Sequence, residues 1–466
     1  MPPAGGIFSN KKTGRRSFGG RFADATGDVR EGGLTLSGRG LEHAVMAWRA
    51  DAVRVRKDGG TGTMSIKTTT AGEGQLPRYF AHVFDRASLA PKGQLDIALP
   101  DGRVFRAAGH LPGPMARLNV VNPDIFARLV REGDLGFCEA YLDKWWTTPD
   151  LQAFLDYVHA AEDEIYDEFR GMALVRLYER LRHRLRDNSR AQAKRNISYH
   201  YDLGNEFYRL WLDNTMTYSS ARFEHGTESL EEAQTAKYAS LIDGMGAQPG
   251  DHVLEIGCGW GGFAEYAARE RGLRVTGLTI SREQHDYAQA RMARAGLQER
   301  VDIRMQDYRD EQGQYDGVAS IEMFEAVGEK YWPTYFNTLR GCLKPGRNAT
   351  LQIITVQDRR FEIYRKGVDF IQKYIFPGGM LPSPLVLRAE VERAGLQVLG
   401  SIEFGESYSR TLRSWHKTFT DRWDEISALG FDERFRRMWE FYLCACAASF
   451  WSRNCDVTQI TVNRTV

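Results

Sequence analysis

The sequence predicts an α/β protein built on a doubly wound parallel sheet, with a smaller α+β unit before it. Three observations carry that expectation. A short apolar run at residues 253–256 leads into a glycine-rich turn and then a helical pattern, which reads as strand, tight turn, helix. Strand-like and helix-like segments alternate from there to about residue 355. Upstream, part of residues 79–150 alternates apolar and polar positions around Asp101-Gly102, a strong hairpin signal.

A length of 466 residues suits two or three domains. The hydrophobic share of 42% is ample for packed cores. Basic and acidic residues number 62 and 61, so the whole molecule lacks the charge signature of a nucleic-acid binder. No apolar run approaches the ~18 residues of a spanning helix, and the basic N-terminus has no apolar secretory core. The six cysteines show neither zinc spacing nor a disulfide framework, and no other metal constellation stands out. A cytoplasmic protein, free to visit a membrane surface, is the expectation.

Residues 1–76 begin as a Gly- and Arg-rich extension, read as disorder or as a mis-assigned start with Met64 as the true one. Residues 77–150 form the small unit: the hairpin, a strand at 116–121, a helix at 123–132 and an aromatic segment. Trp145 and Trp146 there suit either core packing or a substrate-facing wall. Residues 151–196 read as a helical linker, with Leu174, Leu177, Leu181 and Leu185 at helical spacing and arginines around that stripe. Such a helix either lies on an anionic lipid surface or packs between domains with a solvated basic face. Residues 197–466 form the larger domain. After a helix at 230–245, strands are expected at 273–278, 301–305, 317–321 and 349–355, and helices at 281–295 and 330–342, with Ser281 as an N-cap. The last hundred residues read as largely helical and aromatic, either as core or as the cover of a long apolar tunnel.

The glycine turn, Gly257-Cys258-Gly259-Trp260-Gly261-Gly262, lets a ligand approach the backbone and faces it with the amides of a helix start. Two observations favour S-adenosylmethionine over a nicotinamide dinucleotide. Glu255 lies just before the glycines, where methyltransferases usually carry an acid. The next strand ends in Leu278-Thr279, without the acid that would hold a nicotinamide ribose.

The segments HYDLGNEFY, TYSSARF, EAQTAKY, VLEIGCGWGGFAEYAA, GLTISREQ, MQDYRD, QKYIFPGGMLPS and RRMWEFYLCACAASF stand together in one order. Over roughly residues 80–460 the sequence resembles the cyclopropane-fatty-acyl-phospholipid synthase family of S-adenosylmethionine-dependent methyltransferases. The resemblance implies a Rossmann-like catalytic domain with helical and aromatic insertions, preceded by a lipid-binding N-terminal domain. It implies an unsaturated phospholipid acyl chain as substrate, peripheral work at the inner face of a membrane, and a family in which homodimers are common. For the cofactor it implies Gly257 and Gly259 under the methionine portion, with Tyr201, Tyr218 and Ser219 closing over it. Thr279 and Gln284 would hold the ribose, and Asp307 would reach the adenine amine.

The chemistry it implies is demanding. An alkene is a poor nucleophile, so the methyl donor must be held in line with it. Attack leaves a carbocation, which a dry pocket protects and aromatic faces stabilise. A base then removes a proton. Loss from the new methyl closes a cyclopropane; loss without ring closure gives a methyl- or methylene-branched chain, a precursor type for furan fatty acids. In the family the base is thought to be bicarbonate, cradled by a Cys, a Glu followed by His, a strand His with an Ile two residues on, and a Tyr. This sequence keeps Glu325, Ile354 and Tyr408. It departs with Ser220 for the Cys, Ala326 after the Glu, and Gln352 for the strand His, which argues against bicarbonate. Gln352 exchanges hydrogen bonds but carries no proton. Glu322, an extra acid, lies one helical turn before Glu325 if that stretch is helical. The expected product is a cyclopropane fatty acid, with the branched chain of the Gln-bearing relatives as the alternative.

Overall fold

Two sheets organise the chain. The structure, a computed structural model, describes residues 65–68, 74–161, 171, 172, 175, 178, 179, 188, 192, 193 and 203–466. Residues 1–64, most of the expected basic linker helix and Tyr201 lie outside the described residues.

The first sheet has five strands in the order β1-β3-β2-β4-β5: β1 (Ser65–Thr68), β2 (Lys92–Ala98), β3 (Val104–Ala108), β4 (Leu111–Val120) and β5 (Trp146–Thr147). The hairpin is where the sequence places it. β2 and β3 pair antiparallel, with Ala98 opposite Val104, and Gly102 takes φ 88° in the turn. The expected helix at 123–132 runs on as Ile125–Leu142, with a kink at Gly133. Trp146 is buried and stacks between Phe137, Tyr141 and Phe154, so it belongs to the core.

The second sheet has seven strands in the order β11-β12-β10-β9-β6-β7-β8. Its members are β6 (His252–Ile256), β7 (Arg274–Thr279), β8 (Val301–Met305), β9 (Tyr315–Ile321), β10 (Leu343–Val356), β11 (Gln397–Glu403) and β12 (Cys455–Asn463). β6 to β10 pair parallel, as the βα alternation predicts. The fully parallel expectation needs correction at one edge. β12 inserts between β10 and β11 and runs antiparallel to both. The last hundred residues therefore supply two strands as well as helices. CDVTQITVN alternates buried and part-buried positions only loosely, because it pairs on both edges.

Both sheets lie in one unit, residues 63–466. One hydrophobic cluster runs from Phe80, Ile97, Phe126 and Trp146 to Phe207, Trp211, Trp415, Trp439 and Phe450. The helix Leu151–Ala160 packs against β4 and against the C-terminal helix Glu433–Trp451. Its buried Asp156 accepts two hydrogen bonds from Arg413, at 2.8 and 2.9 Å, on the helix Gly405–Asp421. The five-stranded sheet is thus joined to the C-terminal helices by burial and by a two-pronged ion pair.

Candidate active site

The glycine turn after β6 opens at the carboxyl end of the parallel strands, where ligands bind in open α/β sheets. Gly257 has φ 86°, and a Cβ there would meet the Met323 side chain at 2.7 Å, so only glycine fits. The amides of Gly257 and Cys258 donate to the Leu278 carbonyl, pinning the turn to β7. The helix Gly262–Glu270 starts directly after it.

A cavity of about 160 Å³ lies against this turn. Tyr218, Ser219, Glu255, Gly257, Gly259, Thr279, Gln284 and Asp307 all line it, so the structure gathers the expected cofactor residues outside position 201. The polar ones are partly engaged with one another. Thr279 Oγ1 donates to Gln284 Oε1 at 2.9 Å, and Asp307 receives two side-chain hydrogen bonds from Arg309, at 2.9 and 2.6 Å. Ser281 caps its helix by accepting from the Gln284 amide.

A second cavity, of about 1140 Å³, lies between the two sheets. Its apolar wall is formed by Leu95, Ile97 and Leu118 of the first sheet, Ile354 of the second, and Phe441 and Phe450 of the C-terminal helix Glu433–Trp451. Of the aromatics expected either as core or as tunnel cover, Phe441, Tyr442 and Phe450 line it. Trp415, Phe419 and Trp439 are core. The two cavities meet at Asn188, Tyr218, Glu322 and Ala326, which line both.

Glu322 is the centre of the junction. Its Oε1 accepts from the Ser220 amide at 2.8 Å and from Gln352 Nε2 at 2.7 Å; its Oε2 accepts from the Tyr408 hydroxyl at 2.6 Å. The backbone there takes φ 49°, and only 324–326 form a single 3-10 turn. The conditional helical spacing of Glu322 and Glu325 therefore does not apply. A left-handed conformation costs a non-glycine residue roughly 1–2 kcal/mol, a strain offset by three hydrogen bonds to the carboxylate.

Glu325 lines the large cavity. Its Oε1 accepts from the Ile354 amide at 2.6 Å, while its buried Oε2 has no hydrogen-bond partner among the described residues. Burial, reinforced by the neighbouring Glu322 charge, pushes its carboxyl up to about 8. Burial also pushes Glu322 upward, opposed by the Tyr408 hydroxyl, Lys237, Gln352 and the Ser220 amide. Ser220 and Gln352 line neither cavity. The Ser220 hydroxyl donates to the Ala221 carbonyl, and the Gln352 amide spans Glu322, the Ser220 carbonyl and Gln459. Both act by holding Glu322.

Residues 188–460 match the family model described as mycolic acid cyclopropane synthetase. The chain belongs to this family. It is 41% identical over 402 residues to the tuberculostearic acid methyltransferase UfaA1 of Mycobacterium tuberculosis, covering 80% of this chain and 93% of that protein. It is 36% identical over 386 residues to the cyclopropane-fatty-acyl-phospholipid synthase of Escherichia coli, covering 80% and 96%. Among solved structures, the cyclopropane synthase MmaA2 of Mycobacterium tuberculosis superposes with a TM-score of 0.55 at 29% identity, over 58% of this chain and 97% of that one. The mycolic acid cyclopropane synthase CmaA1, solved with SAH and CTAB, gives 0.55 at 30%, over 58% and 97%.

Membership makes this an S-adenosylmethionine-dependent methyltransferase. The smaller cavity fits that cofactor. Glu255 is buried against it, pushed up to about 8 by burial, and its Oε2 has no partner among the described residues, which suits it to a ligand hydroxyl or ammonium. Bicarbonate fits less well, because donors expected to cradle it already serve Glu322.

Two residues of the junction were not singled out by sequence reasoning. Lys237 is fully buried on the helix Leu230–Met245, donates to Ser219 Oγ at 2.7 Å and is drawn down to about 7 by burial, against the pull of Glu322, Asp213 and Glu255. Its signal was a lysine in phase with the buried Gln234, Leu241 and Met245 of that helix. Gln459 sits on β12, the strand the sequence did not announce, and orients Gln352.

Proposed function

We propose that the protein transfers the methyl group of S-adenosylmethionine to the carbon–carbon double bond of an unsaturated acyl chain carried by a membrane phospholipid. The observation that carries this reading is the junction: a large, mainly apolar cavity of about 1140 Å³ meets the cofactor cavity at a buried carboxylate, Glu322. The cofactor supplies an electrophilic methyl group. Glu255, Thr279, Gln284 and Asp307 bind and orient it, with Gly257 and Gly259 allowing close approach. The apolar wall excludes water from the cation left on the chain. The rings of Tyr218, Tyr408 and Phe450 line the large cavity, where aromatic faces can stabilise a cation. A carboxylate at the junction, Glu322, is placed to accept the departing proton.

Loss of that proton from the new methyl gives a cyclopropane fatty acid, the first reading, supported by the likeness to the E. coli synthase over most of both chains. A methyl- or methylene-branched chain is the second reading. It is favoured by the altered cradle at Ser220, Ala326 and Gln352 and by the relative at 41% identity, which is named a methyltransferase. No helix among the described residues is long and apolar enough to cross a membrane.

The test uses S-adenosylmethionine with a trideuterated methyl, purified protein and vesicles of mono-unsaturated phospholipid, with the fatty acids read by mass spectrometry and proton NMR. High-field ring protons with two deuteriums retained mark a cyclopropane. A methyl with three deuteriums or an exocyclic methylene marks the branched product. No transfer to any unsaturated lipid defeats the proposal.

A further inference from the structure

We propose that the Glu322 carboxylate stands in for an external anion as the base of this reaction, so that the enzyme works without bicarbonate. The inference rests on the methyl-transfer reading above and names which group takes the proton. Three donors converge on Glu322: the Ser220 amide, the Gln352 side chain and the Tyr408 hydroxyl, at 2.8, 2.7 and 2.6 Å. These are three positions of the cradle that a small oxyanion would need. Here a side chain of the protein fills it. A second anion beside it would meet a buried like charge in a low-dielectric site, which is strongly unfavourable.

Geometry also selects Glu322 over Glu325. Glu322 lines both cavities, whereas Glu325 lines only the larger one. The backbone at 322 is held at φ 49°, the left-handed region, to deliver this carboxylate to the junction. Strain of this kind persists where the surroundings over-determine it. Burial raises both carboxyls; at Glu325, pushed up to about 8, the neighbouring Glu322 charge adds to the rise, whereas at Glu322 the Tyr408 hydroxyl, Lys237, Gln352 and the Ser220 amide oppose it. Lys237, buried nearby, favours the charged form of Glu322.

The step balances. The alkene pair forms the bond to the transferred methyl as the methyl–sulfur bond breaks, leaving a cation on the neighbouring chain carbon. Glu322 Oε2, whose Tyr408 bond leaves it a free lone pair, takes a proton either from the new methyl, whose C–H pair can then reach the cation and close the ring, or from the chain carbon beside the cation, whose C–H pair then forms a double bond. The C–H electron pair closes the ring or forms the new double bond. Glu322 ends neutral and returns the proton to solvent when the product leaves.

The test pairs turnover with binding. Wild-type rate should be the same in buffer purged of carbon dioxide and in buffer with added bicarbonate. E322Q should lose roughly 10²–10⁴-fold. E322A, which empties the position, should regain rate with added bicarbonate. In equilibrium dialysis with labelled bicarbonate and S-adenosylhomocysteine present, the wild type should retain none and E322A should retain it. A wild type that binds bicarbonate, or slows when it is removed, overturns the proposal. So does an E322A protein that keeps its S-adenosylhomocysteine affinity yet binds no bicarbonate. If the wild type transfers no methyl to any lipid, the functional reading fails, while the dialysis still decides whether Glu322 fills the anion position.

Discussion

Glu325→Gln should flatten the pH dependence of stability, and the size follows from one buried group. The Glu325 carboxyl is moved from 4.5 to about 8 by burial and by the Glu322 charge. Between those values the folded state keeps a proton that the unfolded chain has lost. Stability is therefore fully present below about pH 4.5 and falls as pH rises toward 8, at about 1.4 kcal/mol per pH unit. From pH 5.5 to 7.5 this one residue removes roughly 2.7 kcal/mol. A glutamine does not titrate. Its oxygen can take the Ile354 amide bond, while its NH₂ replaces an oxygen that had no partner among the described residues. That unmet donor costs a pH-independent 1–3 kcal/mol or so. The assay is the difference in thermal midpoint between variant and wild type at pH 5.5 and at 7.5, in which most contributions of shared titrating groups cancel. The gap should move by several degrees in favour of the variant as pH rises. Methyl transfer at pH 7 should survive within about tenfold, since a neutral acid is replaced by a neutral amide. Parallel stability profiles would show Glu325 ionised in the folded protein and refute the reasoning.

Gln352→Leu strips Glu322 and Gln459 of a partner at once and should cost roughly 1–3 kcal/mol of stability by chemical unfolding; its turnover should fall while S-adenosylmethionine affinity holds. Lys237→Met removes the buried cation that favours ionised Glu322, so the acid limb of the pH–rate profile should move to higher pH. Thr279→Val breaks the bond to Gln284 and should weaken S-adenosylmethionine binding by roughly 2–10-fold in calorimetry.

The parts of the site legible in the sequence were local. Strand, glycine turn and helix at 253–270 are specified by adjacent residues, and Glu255, Gly257 and Gly259 follow from position alone. The Asp101-Gly102 turn and the Ser281 cap are local in the same sense. Non-local features were not legible. Gln352 and Gln459 meet because β10 and β12 pair with them directly opposite, a register formed across a hundred residues. Lys237 reads as an ordinary helix lysine until the helix packs. Glu322 looked like the first of two acids on a helix, but its φ is set by the β9 exit and by distant donors. The tunnel aromatics were ambiguous for the same reason: Phe441 and Trp439 lie two residues apart on one helix, and only packing decides which faces the cavity.

The walls of the large cavity include strand residues of both sheets, Leu95, Ile97 and Leu118 of one and Ile354 and Val356 of the other, and helix residues as far along the chain as Phe450. An occupant of that space is in contact with both, and so acts as a tie between them. Linkage then makes the acyl chain part of the folding unit. A chain at a hundred times its dissociation constant would add about 2.7 kcal/mol to the state that binds it, all of it dependent on the two sheets staying together. The lipid-loaded protein should melt in a sharper and later transition than the empty one.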